Sequence, residues 1–271
     1  MLVSVIIPVH NQLPYTRQCL ESVIATDKGV RREVIVIDNA STDGTFSYLQ
    51  RHSGRLKAIR NTTNMGFARA CNQGARAATG EFLCFVNNDT VCRPGWLAAL
   101  VAVMQTDPRI GVAGSKLLYP DGTVQHAGVV ITGENPISPV LIYRGVPGNA
   151  PFVNRTRDFQ SVSGAGMLVR RQVFDTVGGF DEGFINGCED LDFCFRVRQR
   201  GYRVVYVPAS VLYHFESRTP GRHKHIPQNR ARLQAKWHGK IRADAAHYYR
   251  QDGFAGSPPV FVRPKKTPIR R

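Results

Sequence analysis

Val3-Ser4-Val5-Ile6-Ile7-Pro8-Val9 is a nearly unbroken apolar run that stops at His10-Asn11, and a helical pattern over residues 15–25 follows it. Such a run reads as a strand buried on both faces, because a strand with one wet face alternates apolar and polar residues. The rhythm continues down the first half. Residues 34–38 read as a second strand, Ser41-Thr42-Asp43-Gly44 as a turn into a helix ending near Gln50, and residues 56–59 as a short strand. A third helix follows Gly66 and ends at Gly80, the next strand covers 82–86, and the next helix covers 94–106 with Pro94 in a tolerated first-turn position. Strand and helix alternating in this way indicate βαβ units, hence an α/β class with a mainly parallel central sheet flanked by helices.

After about residue 115 the pattern becomes mixed. Asp121-Gly122 separates two apolar stretches as a hairpin-like turn, and residues 133–157, rich in Pro, Gly and Asn, read as an irregular excursion. Beyond it come a strand at 167–170, a short helix at 171–177, a helix at 189–200, and two strands at 204–207 and 211–215. The expected organisation is a ligand-binding half over 1–115, a second half of the same domain over 116–217, and a basic C-terminal extension over 218–271.

The 271 residues are 42% hydrophobic and 21% charged, a composition that excludes a disordered or collagen-like chain. The run at 3–9 is too short to span a bilayer and lacks a basic flank, so a cytoplasmic location is expected. The six cysteines are scattered without metal-type spacing and read as reduced, buried residues. The net charge is +16, yet residues 218–271 hold 14 Lys and Arg against Asp244 and Asp252, so most of it belongs to the C-terminal stretch. Charge reports the sign of a partner, not its identity.

Ligands of open α/β sheets sit outside the carboxyl ends of the strands. No glycine occurs before Lys28, which excludes a dinucleotide fingerprint after the first strand, and no phosphate-binding loop of the Walker type is present. Three strand ends are polar instead: Pro8-Val9-His10-Asn11, Asp38-Asn39-Ala40-Ser41 and Asn87-Asn88-Asp89. Asp38 suits a base imide or a ribose hydroxyl, or equally the cap of its own turn. Asn87-Asn88-Asp89 is either a polar turn or an oxygen-rich corner for a hard divalent cation. Glu189-Asp190-Leu191-Asp192 opens a helix, where acids are favoured by the macrodipole alone, and Asn186 with Glu189 resembles a capping box. His214 ends an apolar strand, a place for a structural histidine or a ligand.

The segments Val5-Ile6-Ile7-Pro8-Val9-His10-Asn11, Val36-Ile37-Asp38-Asn39-Ala40-Ser41-Thr42-Asp43-Gly44-Thr45, Asn64-Met65-Gly66-Phe67-Ala68 and Phe85-Val86-Asn87-Asn88-Asp89 together resemble glycosyltransferase family 2. Gly114-Ser115-Lys116-Leu117-Leu118-Tyr119-Pro120-Asp121-Gly122-Thr123, Gly178-Gly179-Phe180-Asp181-Glu182 and Glu189-Asp190-Leu191-Asp192 follow in the family's order, in the manner of bacterial rhamnosyltransferase-like members. The resemblance implies a GT-A nucleotide-diphospho-sugar transferase fold and inverting, metal-dependent transfer, in surface polysaccharide biosynthesis. It implies that Pro8, Val9, His10, Asn11, Asp38, Asn39, Asn64, Gly66, Asn87 and Asn88 bind the nucleotide sugar, UDP- or dTDP-linked. It places Asp89 and His214 on Mg²⁺ or Mn²⁺, although Asn87 stands where the family pattern has its first acid. Asp190 takes the part of the base with Glu189 beside it, and Gly164, Ala165, Gly166 and Asp192 border a carbohydrate or lipid-linked glycan acceptor. Arg218, four residues past His214, is expected on the diphosphate.

Two other readings compete: a relative that binds nucleotide sugars without catalysis, and a basic nucleic-acid-binding module using Trp237, Tyr248, Tyr249 and Phe254 as stacking platforms. No nucleic-acid motif accompanies these aromatics, so no nucleic-acid partner is expected, and packing is the favoured role of Trp237. Peripheral contact of the basic tail with an anionic inner membrane face is expected, each surface-proximal basic residue contributing about 1 kcal/mol. Truncation after Phe261 is expected to weaken binding to anionic vesicles at low salt while transfer to a soluble acceptor persists; equal vesicle binding by both forms overturns the membrane role.

Overall fold

The computed structural model describes residues 1–216 and 222–255 of the chain, the side chains of Arg222 and His223 excepted. In chain order the first half forms β1 (Val3–Val9), α1 (Leu13–Ala25), β2 (Arg32–Asn39), α2 (Thr45–Gln50), β3 (Lys57–Asn61), α3 (Phe67–Ala77) and β4 (Phe82–Val86). The strands run parallel in the order β4, β1, β2, β3, as βαβ units require. Every residue of β1 is buried. Val3, Val5, Ile7 and Val9 pack toward α1, while Ile6 points to the opposite layer beneath α3.

The chain continues through β5 (Thr90–Cys92), α4 (Trp96–Thr106), β6 (Ile110–Leu118), β7 (Val124–His126), and a separate two-stranded sheet of β8 (Val129–Glu134) and β9 (Ile137–Leu141). Then come β10 (Arg157–Asp158), β11 (Gly166–Arg170), α5 (Arg171–Thr176), α6 (Glu189–Gln199), β12 (Arg203–His214), α7 (Ile226–Trp237) and α8 (Ala245–Gln251). One sheet unites both halves, in the order β10-β12-β6-β11-β4-β1-β2-β3. Its hinge is β11, antiparallel to β4 on one side and to β6 on the other. The boundary expected near residue 115 therefore falls inside β6.

Three expectations differ from the structure. The region 133–157 was expected to be irregular, yet its start belongs to the hairpin β8–β9, whose Val129, Ile131 and Ile137 share a small core with Leu191, Phe195, Leu233 and Trp237. The strands expected at 204–207 and 211–215 are one strand, β12, interrupted by a register shift between Val207 and Val211. Pro208 cannot donate to the ladder, so the strand bulges there and resumes. The largest correction concerns the C-terminal stretch, which through residue 255 is no extension. Leu233, Trp237, Ile241, Ala245 and Tyr249 are buried against the body. Asp252 pins the end of α8 by accepting bonds from the Tyr143 hydroxyl at 2.5 Å and from Arg155 and Arg157. Tyr248 stacks on Phe159 and Phe254 meets Phe152 edge-on, so the proposed stacking platforms face inward. Residues 263–271, assigned to the membrane, and Arg218 lie outside the described residues.

Gly74 sets how closely α3 approaches β1, because a Cβ there would overlap the buried Ile6 side chain. Alanine gains about 1 kcal/mol of helix propensity over glycine, but overpacking a filled core costs about 1–3 kcal/mol. Gly74→Ala is accordingly expected to lower stability by about 1 kcal/mol, read as a reduced urea midpoint; an unchanged or raised midpoint contradicts the close approach.

Candidate active site

The cavity at the carboxyl edge of the parallel strands is walled by Pro8 and Val9 from β1, His10 just after it, Asn39 from β2, and Asn64 and Gly66 before α3. Asn87, Asn88 and Asp89 follow β4 and also line it, with His214 beside Asp89, and Gly164, Ala165, Glu189 and Asp190 complete the lining. Five of the eight non-glycine residues with positive φ among the described residues, Asn11, Gln12, Ala40, Asn186 and Cys188, lie on loops around it. Such backbone is costly, about 1–3 kcal/mol per residue, and its concentration at one crevice marks the place where geometry overrides local preference.

Hydrogen bonds tie the strand ends to one another. His10 Nδ1 donates to the Asn39 carbonyl at 2.7 Å, and Asn11 both donates its N–H to Ser41 Oγ and accepts from the Thr42 N–H, each at 2.7 Å. Asn39 donates to the Gly66 carbonyl, and Asn61 and Gln73 exchange amide bonds behind it. Asn11 and Asp38 stand beside the cavity instead of lining it. The Asp38 side chain is fully buried, one oxygen accepting from the Ser41 N–H and the other, Oδ2, without a hydrogen-bond donor, 3.6 Å from Arg60 Nε.

His214 reaches the cavity because β12 ends by pairing with β5, which sets Thr90 opposite it and brings Asp89 alongside. Its Nε2 lies 3.1 Å from Asp89 Oδ1 and 3.3 Å from the Asn87 amide, while Nδ1 donates to Gln125 Oε1 at 2.6 Å. A neutral imidazole has one N–H, so giving it to Gln125 leaves a lone pair at Nε2 facing a carboxylate oxygen. That arrangement suits a cation between the two: one carboxylate and an imidazole held from behind are two ligands a divalent ion accepts, while no cluster of three or more His, Cys, Asp or Glu surrounds the corner among the described residues.

The start of α6 carries the acids. Asp190 Oδ2 accepts from the Gly164 N–H at 3.0 Å and Oδ1 from the Leu191 N–H at 2.9 Å, which fixes the carboxylate on the cavity wall. Glu189 is buried and accepts from the Gly187 N–H. The capping box expected from Asn186 and Glu189 does not form; Asn186 instead accepts from the Phe67 N–H at the start of α3. Asp192 was assigned to the acceptor and is corrected by its burial. It is completely enclosed, binding Arg196 at 2.8 Å, Lys236 at 2.7 Å and the Trp237 indole N–H at 2.9 Å. Gly166 likewise lies within the sheet, paired with Val86.

Phe67, Ser163 and Asn186 line the cavity without having been expected there. Phe67 stood in a quoted segment and Asn186 was read as a helix cap, but nothing in a single sequence said that they meet. His126 is another surprise, since it is fully buried with Nδ1 donating to the Ser115 carbonyl at 3.0 Å and Nε2 accepting from the Ser163 N–H at 3.1 Å.

The sheet order, with its antiparallel β11 and the crevice at the carboxyl edge, defines a GT-A-type α/β transferase fold. Glycosyl transferase family 2 matches residues 4–178, and the chain belongs to that family. It is 36% identical over 222 residues, 79% of its length, to the O-antigen biosynthesis protein RfbC of Myxococcus xanthus, of which it spans 17%. It is 27% identical over 249 residues, 82% of its length, to the N-acetylglucosaminyl-diphospho-decaprenol L-rhamnosyltransferase of Mycobacterium tuberculosis, spanning 78% of that protein. Among solved structures it resembles GalNAc-T7 with UDP, GalNAc and Mn²⁺, with a TM-score of 0.71 at 20% identity over 93% of this chain and 50% of that one. No helix among the described residues is long and apolar enough to cross a membrane.

Burial drives the His126 imidazole down to about 4, against the smaller opposing pull of the Ser115 carbonyl. The unfolded chain, with an ordinary histidine near 6.5, then binds more protons between those values. The stability that depends on neutral His126 is complete above pH 6.5 and is lost as pH falls toward 4, a change on the order of 3 kcal/mol. Urea midpoints are expected to fall more steeply from pH 7 to 4.5 in the native protein than in His126→Gln; parallel declines overturn this account.

Proposed function

We propose that this chain is an inverting, metal-dependent glycosyltransferase that moves a sugar from a UDP- or dTDP-linked donor to a carbohydrate or lipid-linked glycan acceptor in surface polysaccharide biosynthesis. The observation that carries the proposal is the convergence, on one cavity, of the Asp89–His214 corner and the restrained Asp190 carboxylate. The names of the Myxococcus and Mycobacterium relatives support a glycan product, and the GalNAc-T7 structure, with UDP and Mn²⁺, supports a nucleotide and a divalent ion.

The nucleobase rests at the ends of β1 and β2. The Asp38 carboxylate, fully buried beside Arg60, backs this side from behind, and His10 and Asn39 are the groups that face the base from the cavity wall. Asn39, Asn64 and Gly66 close that side, and Asn87 and Asn88 reach the sugar-phosphate. Asp89 and His214 would hold Mg²⁺ or Mn²⁺, whose charge offsets that of the departing diphosphate. Asp190 takes the proton from the acceptor hydroxyl as that oxygen attacks the anomeric carbon opposite the leaving group. Backbone N–H bonds to both of its oxygens keep it aimed, while Glu189 shapes the loop from Gly187 into α6. Gly164 and Ala165 leave room for a sugar against the wall.

Asp190→Asn keeps the size of the side chain and one of its two backbone hydrogen bonds but removes the base. Transfer, assayed with the nucleotide sugar that gives the largest thermal shift in the presence of Mn²⁺, is expected to fall by about 10²–10⁴-fold with donor affinity within a few-fold of native. Native-like turnover in this variant sinks the mechanism, and donor binding without turnover in the native protein favours the non-catalytic relative.

A further inference from the structure

We infer that His126 is a positioning residue for the Asp190 carboxylate, acting through the backbone of Ser163 and Gly164. The inference rests on the reading of Asp190 as the base. The chain of contacts is short and continuous. His126 Nε2 accepts from the Ser163 N–H at 3.1 Å, and the next amide, Gly164 N–H, donates to Asp190 Oδ2 at 3.0 Å.

Gly164 has no side chain to restrict its backbone, so the direction of its N–H must be fixed by its neighbours. Both neighbours are fixed. On one side the Ala165 carbonyl accepts from the Asn87 N–H at 3.2 Å, at the end of β4. On the other side the Ser163 N–H has His126 as its acceptor. Three successive residues of this loop are thereby tied to three elements: β7 through His126, α6 through Asp190, and the metal-binding corner through Asn87.

The chemistry of His126 suits a fixed acceptor and little else. Its ring is 1% exposed and does not line the cavity, so it meets no substrate. With Nδ1–H donated to the Ser115 carbonyl, only the neutral tautomer leaves Nε2 free to accept; a protonated ring would set N–H against N–H. Burying a polar ring with both nitrogens bound to backbone groups gains little over an apolar residue unless one of those groups must be held. Here the Ser163 N–H is that group.

The two amide side chains separate the two ring nitrogens. Gln can place its oxygen near the position of Nε2, whereas Asn reaches only that of Nδ1. Steady-state transfer with Mn²⁺ and the UDP- or dTDP-sugar that gives the largest thermal shift is therefore measured for His126→Gln, His126→Asn and His126→Phe, beside Asp190→Asn. His126→Gln is expected to keep kcat within about threefold of native, while His126→Asn and His126→Phe lose about 10–100-fold, all three retaining the native donor KM. Equal kcat in the Gln and Asn variants, or losses that follow donor KM, overturn the positioning role. Should His126→Phe fail to fold, the Gln and Asn pair still decides. Native kcat in His126→Asn with an inactive Asp190→Asn defeats this inference alone, whereas an active Asp190→Asn defeats the reading beneath it.

Discussion

The insertion of β11 antiparallel between β4 and β6 is the constraint on which the rest of the molecule depends. A parallel βαβ layer would end at β4 with an open edge. By pairing its backbone on both sides, β11 closes that edge, joins the two halves into one hydrogen-bonded sheet and delivers the 163–165 loop to the end of β4. The nucleotide side and the side bearing Asp190 consequently share a rigid wall, with no linker between them. A second pairing, β5 with the end of β12, does the same for His214 and Asp89.

The first half was legible because its signals are local. An apolar run buried on both faces, a helical period and a polar strand end are each contained within about ten residues, and β1, β4 and α4 lie close to where the sequence put them. The second half depends on pairings between distant segments. Nothing in Thr90-Val91-Cys92 announces a strand, since it exists only because β12 runs beside it. The acids of α6 show the same limit within a single turn. Asp190 and Asp192 are two positions apart, which on a helix separates them by about 200°, so one faces the cavity and the other the opposite layer. Sequence proximity grouped them, and helical geometry divides them.

The charge of the C-terminal stretch misled for a related reason. α7 carries Arg230, Arg232 and Lys236, but its apolar residues are placed with helical spacing, Leu233 and Trp237 four apart, and this stripe packs on α6 and on the β8–β9 hairpin. Several of the charges have fixed partners. Arg232 and Lys236 bind Asp181, and Lys236 also reaches Asp192, so part of the apparent surface field is spent inside the fold. Net charge described the composition of the segment correctly and its environment incorrectly.

The bond between the Trp237 indole and the buried Asp192 carboxylate gives the molecule an optical property. The chain has two tryptophans, and the other, Trp96, is buried on the opposite layer, bonded to Thr26. Indole emission shifts with local field and hydration, and Trp237 sits against a negative charge on the helix that presents Asp190. Its fluorescence therefore serves as a built-in gauge of whether that helix is seated, readable without a label, while Trp96 supplies an internal reference from the far side of the sheet.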